Sequence, residues 1–533
     1  MKKSIIALLV MALMLTAFPV AMTEEEPVVL TVTLYENTRV EDYKDNEMTK
    51  AIEEALNVDL QFHVQAATDY ATKLNVAINS GDTLDDIIIL TGTTDALIYS
   101  WAQMGALMPL TDFYADKELA AELYDAIERT GMDFRGALTM PDGEIYCIPT
   151  INQSYGGVYN SKCWYYGDWM EALGAEVPET LDEFCDLLRQ VVTTDLNGNG
   201  EADEIGMAGF DGIKGKWFAY LMNSFVYFDP EHNFMKVEDG NVSFSFTEDA
   251  FREGVSYIAN MIAEGLIAKE SVTQDQNTWK TMINSDPMTV FAYFYPSPSM
   301  TVDTEAKAKF LGMAPMEGPE GVRYAFYNPS AVSGTFALSS TCSNPEKAFK
   351  VGCMLISEYM SITTRWGREG LDWDYVSKTE DPSQYTSYYD VFGPYIVVYD
   401  DASFWSGGGM NNRSWMQTGP YIRQYSIAGG RAIKAGTENQ YDLNIAIADT
   451  MYHQGNFKPD EILGQLIYSK EENDVISKVS ADLITYVKET VSDWLLAPET
   501  LTDDAWEAFK ATTEEMGAAK WLEVAQAAYD RTK

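Results

Sequence analysis

Strand-like and helix-like segments alternate near the start of the chain, and this alternation constrains the fold most. Apolar residues alternate over Val28–Leu34 and Val58–Val64, and Ile87–Leu90 is a short apolar run. Between these segments, apolar residues recur at helical spacing before Asn57 and before Gly81, two residue types that suit a left-handed helix end. Strand, helix, strand, helix, strand indicates an α/β fold with a parallel sheet.

The ends of these strands predict where a ligand binds. In open parallel sheets, ligands lie beyond the carboxyl ends of the strands. Tyr35–Asn37 follow the first strand and Thr91–Thr93 follow the third. We therefore expect Tyr35 and Glu36 to lie in a binding site.

Composition restricts the partners. With 533 residues, of which 46% are hydrophobic, the chain should form two or three packing units. It has 37 Lys and Arg against 81 Asp and Glu, a formal charge of −44. Such a chain repels phosphate backbones and anionic lipid head groups, so nucleic-acid and peripheral membrane binding are not expected. A neutral ligand, a cation or a basic partner surface stays open.

Residues 1–23 have the pattern of a signal peptide. Lys2 and Lys3 precede an apolar run, Ile5–Phe18, which is shorter than the roughly 20 residues that cross a bilayer. No later stretch predicts membrane insertion of the mature chain. The first cysteine is Cys147, so no lipobox cysteine follows the apolar run. We expect an exported protein, either secreted freely or periplasmic.

The five cysteines predict buried thiols, with pairing left open. They are widely spaced and form no C-x-x-C pair that would indicate a metal or redox site. They are Cys147, Cys163, Cys185, Cys342 and Cys353.

Local signals place several later elements. Thr180 with Glu183 predicts a capping box, and Asn344 before a proline predicts a second helix start. Asp239-Gly240 predicts a hairpin turn. Trp506–Tyr529 has apolar residues at helical spacing and predicts a packed terminal helix.

The acidic stretch Asp195–Glu204 predicts a calcium loop. Oxygen-bearing residues recur at alternate positions around Gly200, the arrangement by which a loop surrounds a cation that takes 6–8 oxygen ligands. Gly206 stands where an EF-hand has its bidentate Glu, so Glu204 would supply that carboxylate from a tighter loop. An Asn-Gly turn with solvated acids is the alternative. The candidate ligands are Asp195, Asn197, Asn199, Glu201, Asp203 and Glu204.

Aromatic residues make up 13% of the chain, and many stand beside polar residues and glycines. Aromatic faces joined to polar groups suit sugars, although core packing is the ordinary role of any one ring. The candidate ligand-binding rings are Trp101, Tyr155, Trp217, Phe294, Tyr295, Trp366 and Trp405.

Enzyme signatures are mostly missing from the sequence. His63, His232 and His453 are far apart, so no H-E-x-x-H zinc helix exists, and there is no G-x-S-x-G, G-x-G-x-x-G or P-loop motif. A pair of catalytic carboxylates, as in glycosidases, is compatible with 81 acids, but no spacing selects one.

Several segments together resemble a known family. The chain is similar to the extracellular solute-binding proteins of family 1, the maltose-binding-like class, and within it to the long oligosaccharide-binding and alginate-binding members. The segments that carry the resemblance are Ser80–Ile87, Gly105–Leu110, Gly143–Pro149, Tyr159, Asp168–Gly174, Pro178–Phe184, Asn344–Ala348 and Trp366–Gly370.

The resemblance implies a two-lobed periplasmic-binding-protein fold of type II with a hinge between its lobes. Residues 24–150 and 300–362 would form the first lobe, and 151–299 and 363–533 the second, with extra helices and the calcium loop. Tyr155 would lie on the first hinge crossing, and Phe294 and Tyr295 on the return strand. The calcium would be structural and distant from the cleft, and the missing lipobox cysteine departs from the Gram-positive pattern.

These features together predict a carrier without catalytic activity. We expect a monomeric, exported protein that binds an oligosaccharide between its lobes and delivers it to the permease subunits of an ABC importer. A secreted carbohydrate-active enzyme and a binding protein for a non-sugar solute, such as a peptide, remain alternatives.

Overall fold

The computed structural model of the protein describes residues 26–328, 331–389, 391–399 and 409–532. The strands are β1 (Val28–Tyr35), β2 (Val58–Gln65), β3 (Ile87–Ile89), β4 (Ile148–Asn152), β5 (Lys162–Tyr166), β6 (Ile205–Ala208), β7 (Met235–Glu238), β8 (Asn241–Phe244), β9 (Val290–Tyr295), β10 (Phe310–Met313), β11 (Ala331–Leu338), β12 (Trp373–Tyr375), β13 (Tyr385–Ser387), β14 (Ile396–Val398), β15 (Ile422–Arg423) and β16 (Arg431–Lys434).

The helices pack on both faces of two main sheets. They are α1 (Glu47–Leu56), α2 (Tyr70–Ser80), α3 (Asp95–Gln103), α4 (Thr111–Ala115), α5 (Ala121–Thr130), α6 (Arg135–Leu138), α7 (Gly167–Leu173), α8 (Leu181–Val191), α9 (Lys216–Met222), α10 (Asp249–Ala263), α11 (Gln276–Met282), α12 (Thr304–Lys307), α13 (Pro345–Ile356), α14 (Glu358–Trp366), α15 (Tyr425–Gly429), α16 (Gln440–Gly455), α17 (Lys470–Ile476), α18 (Ser480–Leu496), α19 (Asp503–Glu515) and α20 (Ala518–Asp530).

Lobe 1 is built around a six-stranded sheet in the order β15-β4-β11-β3-β1-β2. The first three strands are parallel, with β1 between β2 and β3, which confirms the parallel α/β prediction. Asn57 and Gly81 end α1 and α2 in the left-handed conformation, as predicted. β11 runs antiparallel between β3 and β4, so the sheet is mixed.

Lobe 2 is built around a four-stranded sheet in the order β10-β5-β9-β6. The predicted capping box at Thr180 starts α8, Asn344 caps α13, and β7 and β8 form the predicted hairpin. Helix α16 packs against β10, where the Cβ of Ala448 lies too close for a side chain at Gly312.

Over the described ranges, the chain crosses between the lobes at three places. Residues 153–161 join β4 to β5, residues 314–328 follow β10, and residues 435–439 lead into α16. The first two crossings are hydrogen-bonded to each other, because the amide of Asn328 donates to the carbonyl of Val158 at 2.8 Å. Three neighbouring crossings form a hinge rather than a single flexible linker.

A third sheet, in the order β12-β14-β16-β13, packs on α14 of lobe 1. The sequence-based boundaries differ from this arrangement at two points. Residues 310–313 pair with β5 of lobe 2, whereas the sequence placed 300–362 in lobe 1. Residues 422–423 pair with β4 of lobe 1, whereas the sequence placed 363–533 in lobe 2. The chain therefore completes the sheet of lobe 2 before it returns to lobe 1 and completes the sheet there.

The terminal segment differs from the predicted single helix. It forms α19 and α20, because the chain adopts a positive φ of 102° at Gly517. Apolar residues recur at helical spacing in both helices. The rings of Trp506 in α19 and Trp521 in α20 are buried in the core of lobe 2.

All five cysteines are buried and unpaired, as the sequence predicts for thiols of the core. Within the described ranges, no helix combines the length and apolar character needed to cross a membrane. The predicted signal peptide, residues 1–23, lies outside the described residues.

Candidate ligand-binding cleft

A cavity of about 300 Å³ lies at the carboxyl end of the lobe 1 sheet, where the sequence predicts a ligand. Hydroxyls, an amide and backbone groups dominate its wall, with two tyrosine rings among them. Pockets for small ligands combine such placed polar groups with apolar surface. The lining residues are Tyr35, Leu90, Thr91, Gly92, Thr93, Thr150, Ser333, Gly334, Thr335, Gln417, Gly419 and Tyr421.

Hydrogen bonds between distant segments hold this wall together. The hydroxyls of Thr150 on β4 and Thr335 on β11 are 2.9 Å apart. The amide of Asn37, just beyond β1, donates to the hydroxyl of Thr418 at 3.1 Å. Gly419 has φ +93°, a conformation that side-chain-bearing residues rarely adopt. Residues 416–421 are thereby fixed over the ends of β1 and β3.

An aromatic group at the hinge surrounds Tyr155. His453 of α16 stacks on the Tyr155 ring, with centroids 3.8 Å apart and an interplanar angle of 7°. The rings of Tyr389, Phe392 and Tyr425 meet Tyr155 edge-on, at 5.1, 5.0 and 6.1 Å. This aromatic group therefore joins the first hinge crossing to lobe 2 and to the third sheet.

Below this group, a buried polar network joins the same parts of the chain. Asp449 of α16 pairs with Lys162 of β5 at 2.9 Å, and the hydroxyl of Tyr389 donates to Asp449 at 2.6 Å. Lys162 also donates to the carbonyl of Gly156 in the first crossing at 2.7 Å. Burial, together with the nearby Asp449 carboxylate, raises the pKa of Tyr389, so its hydroxyl stays protonated and keeps donating.

His453 is held in the neutral state. Its Nε2 lies 2.7 Å from the carbonyl of Tyr155, and a carbonyl accepts only from a protonated nitrogen. Burial lowers the pKa of His453, although the hydrogen bond to Tyr155 and the charge of Asp449 oppose this effect. At neutral pH the imidazole is therefore an uncharged stacking partner.

The structure distributes the sequence-predicted ligand-binding residues over several environments. Tyr35 lines the cavity, and Glu36 beside it is exposed. Tyr155 lies in the aromatic group at the hinge. Tyr295 is partly exposed on β9 and accepts a hydrogen bond from Gln276 at 3.3 Å. Trp405 lies outside the described residues.

The other four predicted rings are buried. Trp101 is in the core of lobe 1 and donates to Asn75 at 2.9 Å, and Trp217 and Phe294 are in the core of lobe 2. Trp366 is buried beneath the third sheet, with the guanidinium groups of Arg365 and Arg431 at 4.7 and 5.5 Å from its ring. The structure does not bring these four rings together.

Sequence reasoning missed most of the cleft. Five of the lining residues that it missed come before residue 375: Leu90, Thr150, Ser333, Gly334 and Thr335. The others lie after 375, where the resemblance did not extend, and the one available signal there was the alternation of Tyr421, Ile422 and Arg423, which is too short to predict a strand. The residues missed after 375 are Tyr389, Phe392, Gln417, Gly419, Tyr421, Arg423, Tyr425, Asp449 and His453.

The predicted calcium loop joins α8 to β6 and is tightly closed by its own side chains. Asp195 accepts the amides of Gly198 and Gly200, at 2.8 and 3.0 Å. Asp203 accepts from the side-chain amides of Asn197 and Asn199, at 3.2 and 3.1 Å. Glu201 completes the loop as an exposed residue.

Glu204 is the residue of this loop that fits a cation best. One carboxylate oxygen accepts the amides of Leu196 and Asn197, while Oε2 is buried without a hydrogen-bond partner. A buried oxygen without a partner is costly, and a bound cation would satisfy it. Across the described ranges, however, no three acidic, imidazole or thiol side chains meet as a metal cluster. Asparagine and backbone oxygens would have to complete the shell.

Comparison with known proteins agrees with this architecture. The sequence of residues 38–357 matches the family model of the bacterial extracellular solute-binding proteins. The fructooligosaccharide ABC transporter substrate-binding protein FusA of Streptococcus pneumoniae is 25% identical over 490 residues, which cover 87% of this chain and 83% of FusA.

Solved structures match over almost the whole chain. An extracellular solute-binding protein from Bifidobacterium longum subsp. infantis aligns with a TM-score of 0.74 and 19% identity, covering 95% of this chain and 98% of that one. FusA in complex with kestose aligns with a TM-score of 0.65 and 20% identity, covering 94% and 99%. With two lobes, three hinge crossings and a family match over residues 38–357, this chain belongs to the bacterial extracellular solute-binding proteins.

Proposed function

We propose that this protein is the substrate-binding component of an ABC importer and captures an oligosaccharide between its two lobes without chemical turnover. Ligand that contacts both lobes stabilises a closed state, which membrane permease subunits then recognise. The protein acts outside the cytoplasm after removal of residues 1–23, and it acts as a monomer.

The observation that carries this proposal is the position of the cavity. It lies at the ends of the lobe 1 strands, and the hinge contacts around Tyr155 and Asp449 join lobe 1, lobe 2 and the third sheet. A ligand that enters here is placed to influence the angle between the lobes. The hydroxyl-rich wall suits a ligand that carries many hydroxyls.

The relatives support a carbohydrate. FusA is named for fructooligosaccharides, and a structural neighbour from Bifidobacterium longum infantis is described as HMO-binding, with a TM-score of 0.74. Another, with a TM-score of 0.59, is the alginate-binding protein AlgQ2. Their ligands differ, so the sugar taken by this chain has to be measured.

Calcium is part of the proposal as a structural ion. Asp195, Asn197, Asn199, Glu201, Asp203 and Glu204 would hold it. The unpartnered Oε2 of Glu204 supports this assignment. The ion would neutralise the acidic loop between α8 and β6.

The test is isothermal titration of the mature chain in calcium buffer with kestose, neutral milk oligosaccharides and uronate oligomers. We expect at least one to bind, small-angle scattering to show a more compact molecule when it does, and chromatography to recover the sugar intact. Release of products would instead establish a carbohydrate-active enzyme. A well-folded protein that binds none of these sugars would favour a non-sugar solute such as a peptide.

A further inference from the structure

Arg423 is an arginine of lobe 1 that lies next to a segment of the cavity wall. Arg423 ends β15 and pairs with Asn152 of β4. Ile422 points into the lobe 1 core and is fully buried, so Tyr421 and Arg423 project from the opposite face of the strand. Tyr421 lines the cavity, and Arg423 follows it on the same face of the strand, just beyond the cavity wall and opposite Asn152, where the first hinge crossing begins.

Within the part of the chain that the structure describes, Arg423 has no counter-ion. Among arginines within residues 26–328, 331–389, 391–399 and 409–532, it is the one whose side chain makes neither an ion pair nor a hydrogen bond. Burial lowers its pKa, and the titratable groups that act on it are Tyr421, Tyr389 and Arg431. The chain has 81 acidic residues, so scarcity of carboxylates does not explain the missing partner. Arg423 is half-buried, and a partly desolvated cation without a partner is stabilised when a ligand pairs with it.

Two further arginines add positive charge at the same end of the cavity. Arg365 donates to the side-chain oxygen of Gln417, a lining residue, at 2.8 Å and acts electrostatically on Tyr421. Arg431 is close enough to Arg423 that its positive charge contributes to lowering the pKa of Arg423. These arginine side chains are opposite in sign to the net charge of the whole chain.

We propose that this end of the cleft binds an anionic group on the oligosaccharide, foremost the carboxylate of an acidic sugar, and that Arg423 is the specificity-determining residue that pairs with it. The inference rests on the proposed function and narrows its substrate class. A guanidinium presents parallel N–H donors that match the two oxygens of a carboxylate. A sulfate ester presents the same chemistry, so the test includes both.

The net charge of −44 gives this binding a kinetic signature. Distant acidic side chains repel an anionic ligand, and salt screens them beyond roughly 8 Å at physiological ionic strength. The contact with Arg423 is short and partly desolvated, so salt weakens it less. Raising salt from low ionic strength should therefore speed association of an acidic sugar and leave association of its neutral analogue unchanged.

The experiment uses calorimetry on the mature chain with ligand pairs that differ only in the anionic group. The pairs are trigalacturonate and its methyl ester, an aldouronic acid and its methyl ester, and a sulfated disaccharide and its unsulfated form. We expect at least tenfold tighter binding of the anionic member of one pair. The pair that responds identifies carboxylate or sulfate as the source.

Three variants locate the effect. Arg423→Gln should weaken the anionic member at least tenfold and the neutral member less than twofold. Arg423→Lys keeps the charge but loses the paired donors, so it should retain part of the preference. Arg189→Gln, an exposed arginine that pairs with Glu264 on the surface of lobe 2, is the matched control and should change neither affinity.

The outcomes separate the two levels of the proposal. If both members of every pair bind equally, or if Arg423→Gln weakens both alike, the acidic-ligand inference is wrong and oligosaccharide capture stands. If no member of any pair binds, the acidic-ligand inference is wrong, and the titrations with kestose and neutral milk oligosaccharides decide whether oligosaccharide capture stands. If Arg423→Gln does not fold, the ligand pairs on the native chain and the Arg423→Lys variant decide the question.

Discussion

Lys162 and Asp449 form an ion pair at 2.9 Å in which both side chains are fully buried. The two residues lie on β5 and α16, nearly 300 positions apart in the sequence. Tyr389 adds a hydrogen bond to Asp449 from the side of the third sheet. The pair thus fastens the start of lobe 2 to the helix that follows the last crossing.

Removing one member of this pair should destabilise the protein strongly. Asp449→Leu or Lys162→Met leaves the other charge buried without compensation, which costs about 3–5 kcal/mol. Combining Lys162→Met with Asp449→Leu should cost less than the sum of the single changes, as a double-mutant cycle in urea would measure. Lys309→Met breaks an exposed pair with Asp168 and serves as the control with a much smaller effect. Additive losses would contradict the coupling.

Replacing a residue of the cavity wall should weaken ligand binding, whereas replacing a ring of the core should lower stability. Tyr421→Ala should weaken binding of the sugar identified by calorimetry at least tenfold with little change in the melting temperature, because Tyr421 lines the cavity. Trp101→Ala should lower the free energy of unfolding by about 3–5 kcal/mol and leave the affinity of the folded protein unchanged, because the ring is in the core. Equal affinity losses in both variants would contradict this division.

The two partly buried histidines should give pH dependences of opposite sign. The pKa of His453 is lowered by burial, so its contribution to stability is lost as pH falls through about 6.5 towards the folded-state pKa. Burial also lowers the pKa of His232, but the hydrogen bond to Asp229 and the charges of Asp229 and Glu231 together outweigh burial and raise the pKa overall. The contribution of His232 to the free energy of unfolding is therefore fully present below about pH 6.5 and is lost as pH rises through the folded-state pKa.

Urea unfolding of His453→Gln and His232→Gln between pH 5 and 8 checks this prediction. Relative to the native chain, His453→Gln should lose less stability on acidification, and His232→Gln should lose less on alkalisation. Each variant is the control for the other. Profiles that shift in the same direction would show that the burial of His453 and the carboxylate of Asp229 do not set these pKa values.

Calcium should raise the melting temperature through the loop before β6. Calcium at 100 times its Kd stabilises by about 2.7 kcal/mol, and a chelator should remove that gain. Glu204→Gln should abolish most of the shift, since it removes the charge from the buried carboxylate. Glu171→Gln, an exposed acid elsewhere in lobe 2, should leave it unchanged. A chelator without effect on the native chain would rule the ion out.

Local structure could be predicted because its causes lie within a few residues. The turn after α1 needs a left-handed residue at Asn57, and the capping box at Thr180 needs only a glutamate three positions later. Gly517 shows the limit of this reasoning, because its positive φ breaks a helix whose apolar spacing continues on both sides.

The cleft could be predicted only where one strand end specifies it. Tyr35 follows from the parallel sheet, but Tyr421 reaches the cavity through a two-residue strand that pairs with β4 across some 270 positions. Trp101 was predicted to bind the ligand because polar residues stand beside it in the sequence, but the ring lies in the core. Helical periodicity turns the ring into the core while the polar residues beside it face outwards.

The antiparallel insertion of β11 has a consequence for the order of folding. β11 lies between β3 and β4, and β15 completes the edge, so the first sheet needs residues from beyond the whole second lobe. A chain that has emerged only to residue 313 leaves facing edges of β3 and β4 without their shared partner. Such long-range pairing slows folding, because the loop entropy must be lost before the contacts form. Lobe 2 is therefore the first unit whose sheet can close during synthesis or translocation, and lobe 1 closes only after residue 423 has followed.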